Sequence, residues 1–476
     1  LWAEMPVPLY CTPYVAATLR EKLAQLGLTP PAPIILVKPG QREVVGPFAL
    51  EWVHMTHSTP ENTSLIIQTP YGTVFHSGDF KFDPAPVYEP TSDLARLQTL
   101  GEAGVLLAVV DSTAATDKEP TVSEAAVAAS LRQLIVERPA QRIILTLFAT
   151  HIYRLRALLA IAAETGRKVV AIGRSLQRSL RIAGELGLIP GDLTRLVVMP
   201  EAMHKVKRHE LLVLVGGSQG EPQSSLTRLA NGENQFMTVT PGDTVIWSAR
   251  WIPGNEVAVH KVACQLLRLG AEVLHPHKGD FTHASGHGTG EDIKRLLELL
   301  RPQVVVPVHG GYPQLLETIR LGQTYGGASF GTVMDNGQVL QLAPGQPKVV
   351  AETWPTADVL VEGNRLVLPN EAFIYRERRQ VAEAGYVHIA VPVSKRSGQP
   401  LGEVHLSTLG VADPTLWADV FDHLRQKLER QLARLGREKR APESAQITEA
   451  LRQTARRALQ VEFGKKPVVQ VKLIHV

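Results

Sequence analysis

Short apolar runs alternate along the chain with amphipathic stretches of helical length. After residue 94, the runs LLAVVD, RIILTLF, KVVAI and LLVLV are separated by polar loops and by helical patterns at residues 123–137 and 153–165. This alternation is typical of a parallel sheet covered by helices. We therefore predict an α/β protein in which polar residues gather at the carboxyl ends of the strands.

Two earlier apolar runs predict a hairpin. Residues 64–68 and 73–76 each favour a strand, and a Pro-Tyr-Gly turn at residues 70–72 separates them. His57 precedes the first strand and Asp79 follows the second, so pairing of the strands brings both side chains to one rim. An imidazole and a carboxylate at neighbouring strand ends suit a hydrolytic metal site. A surface histidine and a capping aspartate are the alternative.

Polar residues also follow other predicted strands. Asp111 ends one strand, Thr150 and His151 follow a second, and Arg174 and Ser175 follow a third. Any one of them alone is more often structural than functional. Their shared position at strand ends makes them candidates for a single site.

Two further histidine segments lie later in the chain. The small-residue loop HASGH, residues 283–287, precedes a predicted helix at 291–300, and His309 follows the strand QVVVPV. Gly286 and Gly310 leave room for close approach of the backbone. Together with His57 and Asp79, these histidines favour a metal or phosphate site.

Composition narrows the classes of protein. The 476 residues, 44% hydrophobic and 20% charged, indicate about three globular domains. A net charge of +4 permits a polyanionic partner without requiring one. Two cysteines are too few for a disulfide framework or a thiolate zinc site, which predicts a cytoplasmic protein. No apolar run is long enough to span a bilayer, so no membrane partner is predicted.

The C-terminal part follows a different pattern. Past residue 342, proline, glycine and lysine predict a linker, and residues 356–476 predict a separate α+β segment with charged helices at 416–435 and 447–460. The basic faces of these helices suit nucleic acid, but a solvated helix surface is the simpler interpretation.

Nine short motifs are spaced along the chain. They are THSTP from Thr56, SGDFKFD from Ser77, DST from Asp111, FATH from Phe148, GRS from Gly173, GSQGEP from Gly217, SARWIPGNE from Ser248, HASGH from His283 and PVHGG from Pro307. In this order they resemble the ribonuclease J family, which belongs to the β-CASP branch of the metallo-β-lactamase-fold nucleases. The final KPVVQVKLIHV resembles the C-terminal domain of the same family.

The resemblance implies a fold and its division into domains. The fold is α/β, a split and N-terminally incomplete metallo-β-lactamase αββα sandwich with an inserted β-CASP α/β domain and a C-terminal α+β domain. The implied boundaries are 1–121 and 290–344 for the two parts of the metallo-β-lactamase-like domain, 122–289 for the β-CASP domain, 345–357 for the linker and 358–476 for the C-terminal domain.

The resemblance also implies roles for individual residues. His57 binds one of two Zn²⁺ ions in the active site, Asp79 bridges them, and His309 binds the other. His287 is a hydrogen-bond or proton donor at the scissile phosphate, and Asp79 and Asp111 complete the catalytic set. The expected substrate-binding residues are Ala149, Thr150, His151, His283, Ala284, Ser285, Gly286 and His287.

The implied activity is 5′-to-3′ exonucleolytic cleavage of RNA, with endonucleolytic cleavage as a further expectation, in mRNA decay and rRNA maturation. A histidine at the position of His309 is associated in this superfamily with RNA substrates. The expected protein partner is a second copy, in a homodimer or homotetramer, or a related subunit.

Three departures from the family pattern leave alternatives open. The ligand signature HxHxDH is absent from the sequence, the family favours asparagine where His151 stands, and Gly311 stands where the family has glutamate. Because the sequence starts at Leu1, we expect the signature to lie upstream. The alternatives are a catalytically inactive homologue that binds RNA or a partner subunit, and a hydrolase of small molecules on the same fold.

Overall fold

The computed structural model describes residues 2–276, 281–342, 348–356, 360–363, 365–367, 373–396, 399, 401–436 and 443–476. Two compact units divide the chain, Leu1–Trp354 and Pro355–Val476. In the described part of the chain, no helix combines the length and the apolar character needed to cross a membrane.

The first unit begins with a small parallel pair and continues into a large mixed sheet. Its elements are β1 (Leu9–Cys11), α1 (Pro13–Gln25), β2 (Ile34–Leu36), β3 (Arg42–Val45), β4 (Phe48–His54), β5 (Thr63–Thr69), β6 (Gly72–His76), α2 (Leu94–Ala103) and β7 (Leu107–Asp111). Strands β3 to β6 run antiparallel, and β6 pairs in parallel with β7.

The predicted hairpin is confirmed. Strands β5 and β6 pair antiparallel from Leu65 opposite His76 to Thr69 opposite Gly72, so that Pro70 and Tyr71 form the turn. The buried side chains of Ile66 and Phe75 face each other and pack on the core beneath the sheet. This register carries the ends of both strands to the same rim.

A second sheet follows. Its elements are α3 (Glu124–Val136), β8 (Arg142–Thr146), α4 (Ile152–Glu164), β9 (Lys168–Ile172), α5 (Arg174–Glu185), α6 (Gly191–Thr194), β10 (Val197–Val198), β11 (Leu211–Val215), α7 (Ser225–Ala230), β12 (Asp243–Trp247), α8 (Glu256–Arg268) and β13 (Glu272–Leu274). Two short 3₁₀ helices, Pro200–Lys205 and Arg208–Glu210, precede β11.

This second sheet is parallel, as its apolar runs predict. The strand order is β10-β9-β11-β8-β12-β13, and β8, β11 and β12 are buried along their whole length. Helices α3, α4 and α5 cover one face, while α7 and α8 cover the other. Continuous apolar strands are typical of a sheet that is buried on both faces.

The chain then returns to the first sheet. The remaining elements of the unit are α9 (Gly290–Leu300), β14 (Val304–Val308), α10 (Tyr312–Thr324), β15 (Phe330–Gly331), β16 (Gln338–Gln341) and β17 (Lys348–Thr353). Strand β14 pairs in parallel with β7, from Val304 opposite Leu107 to Val308 opposite Asp111. The second sheet is therefore an insertion between two neighbouring strands of the first.

Strand β17 lies within the segment that the sequence predicted as a linker, 345–357. It pairs antiparallel with β16, which fits the β-branched pair in KVVAET. Residues 345–347 and 357 of that predicted linker, and residue 358 at the start of the predicted C-terminal domain, lie outside the described residues.

The second unit is α+β. It contains β18 (Leu360–Glu362), β19 (Arg365–Val367), α11 (Phe373–Ala384), β20 (Tyr386–Val393), β21 (His405–Leu409), α12 (Ala418–Leu435), α13 (Ser444–Phe463) and β22 (Val468–His475). Strand β20 lies between β21 and β22. Buried residues of α12 and α13 pack on this sheet, among them Leu428 and Leu451.

Candidate active site

The loops at the ends of β5 and β6 are tied together. The Oγ1 atom of Thr56 donates a hydrogen bond to the carbonyl oxygen of Lys81 at 2.6 Å, and the side chain of Asn62 donates one to the carbonyl oxygen of Asp79 at 2.7 Å. In this arrangement Nε2 of His57 lies 3.8 Å from Oδ2 of Asp79. The structure therefore brings together the histidine and the aspartate that flank the hairpin.

Strands β7 and β14 bring further residues to the same rim. Asp111 is the last residue of β7, and His309 directly follows β14. The backbone of His309 has a φ of +60° and that of Gly310 a φ of +81°, so the chain turns sharply there. A non-glycine residue in the left-handed region is uncommon, and such residues cluster at functional sites. Nε2 of His309 lies 3.5 Å from Oδ1 of Asp79.

The carboxylate of Asp79 thus faces two imidazoles, one at each of its oxygen atoms. Ligand atoms around tetrahedral zinc lie about 3.3–3.6 Å apart, because the bonds to nitrogen and oxygen are about 2.0–2.2 Å long. The observed distances of 3.5 and 3.8 Å are close to that spacing. His57, Asp79 and His309 therefore give each side of a shared carboxylate one nitrogen and one oxygen ligand, two of the three protein ligands that a catalytic zinc site uses.

The tautomer of His57 also suits a metal ligand. Its Nδ1 atom lies 2.6 Å from the carbonyl oxygen of Gly286, so Nδ1–H donates and Nε2 carries the lone pair towards Asp79. Burial lowers the pKa of His57, although the hydrogen bond to Gly286 opposes this shift. The imidazole is therefore held neutral, as metal binding requires.

His287 and Asp111 form a second pair beside the first. Nδ1 of His287 lies 2.7 Å from Oδ2 of Asp111. The rings of His57 and His287 are arranged edge to face, with their centres 5.4 Å apart. Burial disfavours the His287 imidazolium, but Asp111 outweighs burial and raises the pKa of His287. Ligand atoms of Asp79, Asp111 and His287 all lie within 4.8 Å of one another.

The rim is open on one side. His309 and Asp79 expose 56% and 41% of their side chains, whereas His57 exposes 10%. Water and a polymer can reach the shared carboxylate from the His309 side. The carboxylate of Asp79 is therefore accessible to solvent, whereas the His57 imidazole beside it is buried.

The residues predicted to bind substrate fall into two groups. In the 283–287 loop, the Oγ atom of Ser285 accepts a hydrogen bond from the backbone of His287 at 3.0 Å, and the methyl group of Ala284 is buried in the core. Thr150 is exposed and Ala149 is half-buried against the core of the inserted sheet. Among the described residues, neither Ala149 nor Thr150 forms a hydrogen bond to the 283–287 loop, although Ala149 and Ala284 belong to the same apolar core.

His151 requires a correction. Its side chain is only 2% exposed, and its Nε2 atom lies 3.1 Å from Oε1 of Glu124. Burial lowers the pKa of His151 to about 4, so the ring is neutral at neutral pH. A buried, neutral ring that is bonded to a carboxylate cannot contact a substrate phosphate directly.

Glu124 belongs to a group of charged residues that the sequence analysis missed. We call this group the buried charge cluster: Lys81, Asp83, Glu124 and Arg154, all with side chains at most 8% exposed. The motif SGDFKFD contains Lys81 and Asp83, but no sequence spacing links them to Glu124 or Arg154. The two positive and two negative charges balance.

Three domain families match separate parts of the chain. Residues 140–266 match "Ribonuclease J, beta-CASP domain", residues 276–330 match "Zn-dependent metallo-hydrolase RNA specificity domain", and residues 373–476 match "Ribonuclease J C-terminal domain". The second of these ranges contains His283, His287 and His309.

Curated relatives match over most of the chain. A Ribonuclease J of Sinorhizobium meliloti is 33% identical over 478 residues, which cover 99% of this chain and 82% of the relative. A Ribonuclease J of Thermus thermophilus is 38% identical over 81% of this chain and 67% of the relative. Ribonuclease J 1 of Streptococcus pyogenes is 34% identical over 81% of this chain and 68% of the relative.

Proposed function

The chain belongs to the ribonuclease J family, and on this premise we propose that it is a zinc-dependent ribonuclease that hydrolyses RNA at the shared carboxylate of Asp79. One observation carries the proposal. The two oxygens of Asp79 face the Nε2 atoms of His57 and His309, at 3.8 and 3.5 Å. Among the described residues at this rim of the sheet, no other carboxylate lies between two imidazoles in this way.

His57, Asp79 and His309 are the residues that would hold zinc. When bound, zinc activates water as a nucleophile at neutral pH and acts as a Lewis acid on the phosphoryl group. The chain's own contribution is to present its ligands in a fixed tautomer and orientation. Gly286 does this for His57 through its carbonyl oxygen.

His287 is proposed as the proton or hydrogen-bond donor at the scissile phosphate. Its Nδ1–H is engaged with Asp111, which leaves Nε2 as the atom that can act on a substrate. Because Asp111 raises the pKa of His287, the imidazolium persists to higher pH than that of an ordinary histidine. A charged donor at this point offsets negative charge that develops on the phosphoryl oxygens.

The proposed substrate is RNA with a 5′ phosphate, cleaved from the 5′ end and in addition internally, in mRNA decay and rRNA maturation in the cytoplasm. The match of residues 276–330 to an RNA specificity domain supports RNA as the substrate class. Residues 283–287 are proposed to contact the phosphates. The C-terminal unit is proposed to mediate assembly with a second copy or a related subunit.

The experiment incubates the protein with a 5′-monophosphorylated RNA that carries a label at its 3′ end, with and without a chelator. A DNA of the same sequence and a β-lactam are tested in parallel. The proposal predicts chelator-sensitive cleavage of RNA only. Binding of RNA without cleavage would support the inactive homologue, and hydrolysis of the lactam with RNA intact would overturn the nuclease proposal.

A further inference from the structure

The buried charge cluster connects the two loops that carry the candidate catalytic residues. Lys81 lies two residues after Asp79, and its Nζ atom lies 3.0 Å from Asp83 and 3.3 Å from Glu124. The Nη2 atom of Arg154 lies 2.6 and 2.8 Å from the two oxygens of Glu124. The cluster thus extends from the loop after β6 to helix α4 of the inserted sheet.

Arg154 reaches from Glu124 to the 283–287 loop. Its Nη1 atom lies 2.9 Å from Nδ1 of His283 and 3.2 Å from the carbonyl oxygen of Ser248. The hydroxyl of Ser248 in turn donates to the carbonyl oxygen of Thr282 at 2.7 Å. The guanidinium of Arg154 therefore binds both the side chain of His283 and the backbone of Ser248, which directly follows β12.

The contact fixes the tautomer of His283. A guanidinium offers only N–H donors and no acceptor, so Nδ1 of His283 must accept and the ring proton must sit on Nε2. Burial and the nearby charge of Arg154 lower the pKa of His283, which keeps the ring neutral. The only polar hydrogen of the ring is then at Nε2.

The Nε2 atom of His283 forms no hydrogen bond to any residue in the described ranges, and the residue is half-buried. Nε2–H is therefore the donor of the ring that a ligand could use. The ring of Phe148 lies against that of His283, with the ring centres 6.4 Å apart. A ring held by Arg154 on one side and Phe148 on another has little freedom to turn.

We propose that Arg154 is a positioning residue, which holds His283 as the Nε2–H tautomer so that this loop presents a fixed N–H donor to an RNA phosphate. The phosphate contact rests on the proposed function, whereas the tautomer does not. Glu124 contributes to this positioning, because its carboxylate balances the charge of Arg154 and orients the guanidinium group. Lysine cannot reproduce two parallel bonds to Glu124 and a third to His283.

The same observations also fit an ion pair that only stabilises the fold, and the chain offers a matched control for that alternative. Arg142 is likewise buried in the inserted sheet, and its guanidinium binds both oxygens of Asp243 at 2.9 and 2.6 Å. No contact of Arg142 with a histidine is recorded among the described residues. Arg142→Lys therefore removes an equivalent buried, bidentate guanidinium–carboxylate pair and leaves the 283–287 loop unchanged.

The first measurement is the tautomer of His283, from long-range ¹H–¹⁵N spectra of the metal-free chain labelled with ¹⁵N-histidine. His283→Gln identifies the signal by its loss. We expect the proton of His283 at Nε2 in the unmodified chain and in Arg142→Met, and a mixture of both tautomers in Arg154→Met, because methionine offers no N–H donor to Nδ1. A proton at Nδ1 in the unmodified chain, or an unchanged tautomer in Arg154→Met, would overturn the proposal.

The second measurement is the preference for a 5′-monophosphate over a 5′-hydroxyl, from the binding of two otherwise identical RNAs in the presence of a chelator. Loss of one hydrogen bond to a charged group weakens binding by about ten- to a hundredfold, so Arg154→Lys should reduce the preference by about tenfold or more. Arg142→Lys should retain the preference.

A double-variant cycle separates positioning from general damage. If Arg154 acts through His283, Arg154→Lys adds little to the loss of preference in His283→Gln, whereas independent structural effects add. Additive effects would overturn the proposal. Absence of any 5′-phosphate preference in the unmodified chain would contradict the substrate assigned under the proposed function, and the tautomer measurement would still decide the role of Arg154.

Discussion

His287 and Asp111 are 176 positions apart in the chain, yet Nδ1 of His287 lies 2.7 Å from Oδ2 of Asp111. The pair forms because β7 ends at Asp111 and the chain returns from the inserted sheet beside that strand end. The carboxylate fixes the imidazole with its Nδ1–H engaged, so only Nε2 can act on a substrate. The orientation and the charge of the His287 imidazole therefore depend on the carboxylate of Asp111.

Replacement of His287 tests this donor directly. We expect His287→Ala to slow RNA cleavage at least about a hundredfold, the lower range for loss of a general acid, while bound zinc is retained because His287 is not one of the proposed ligands. Cleavage rate and zinc content are measured on the same preparation. The exposed His204 provides the control in His204→Ala. Cleavage by His287→Ala near the unmodified rate would show that the role is wrong.

Gly286→Ala tests the backbone support of His57. A Cβ atom on Gly286 would lie 2.9 Å from Cε1 of His57 and 3.0 Å from Oγ of Ser58. The imidazole must therefore move, and we expect zinc affinity to fall together with cleavage. Gly191→Ala is the control, because a Cβ atom there meets nothing within 4 Å. Unchanged zinc affinity in Gly286→Ala would contradict the proposed orientation of His57.

Glu124→Gln tests the buried charge cluster. The substitution leaves Lys81 and Arg154 with one carboxylate, Asp83, and loss of one partner from a buried ion pair costs about 3–5 kcal/mol in the free energy of unfolding. Urea unfolding measures this loss. The matched control is Glu164→Gln, whose exposed partner Arg132 lies on the protein surface, and we expect it to leave the unfolding midpoint unchanged. Equal effects of both substitutions would argue against the cluster.

His151 makes the stability depend on pH. Burial lowers its pKa from 6.5 to about 4, so between these values the unfolded chain binds a proton that the folded chain does not. Stability is therefore fully present above pH 6.5 and falls as the pH drops towards 4. In His151→Asn we expect the loss of unfolding free energy between pH 6.5 and pH 5 to be smaller by about 1.5 kcal/mol.

Urea unfolding at the two pH values measures this difference. His204→Asn, at an exposed position, is the control for replacing a histidine by asparagine. His283 also has a lowered pKa and contributes with the same sign, so some dependence remains in His151→Asn. An identical dependence in His151→Asn and the unmodified chain would contradict the buried, neutral state of His151.

Local patterns in the sequence were enough to predict the hairpin and the parallel inserted sheet. The alternation of apolar residues and the turn residues between them determine which strands form. Pairing of β5 with β6 then brings the start of one strand next to the end of the other, which places His57 near Asp79. The motif order predicted the family, and the domain matches and relatives confirm it together with the α/β fold class. Domain boundaries and the roles of site residues remain predictions.

Packing between distant segments could not be predicted in the same way. Lys81, Glu124 and Arg154 come from three elements, and nothing in the sequence indicates that their charges meet in the interior. His151 lies beyond the end of β8 and Asp111 is the last residue of β7, but the ring of His151 is buried against the carboxylate of Glu124. Strand β17 within the predicted linker was missed for a related reason, because the prolines and glycines around it outweighed its strand pattern.

The content of zinc per chain tests whether the Asp79 carboxylate and its two imidazoles hold metal. It is measured by elemental analysis on protein purified without chelator, for the unmodified chain and for Asp79→Asn. We expect bound zinc in the unmodified chain and its loss in Asp79→Asn, because both imidazoles meet at the Asp79 carboxylate. Little zinc in the unmodified chain, or equal zinc in both proteins, would contradict this expectation.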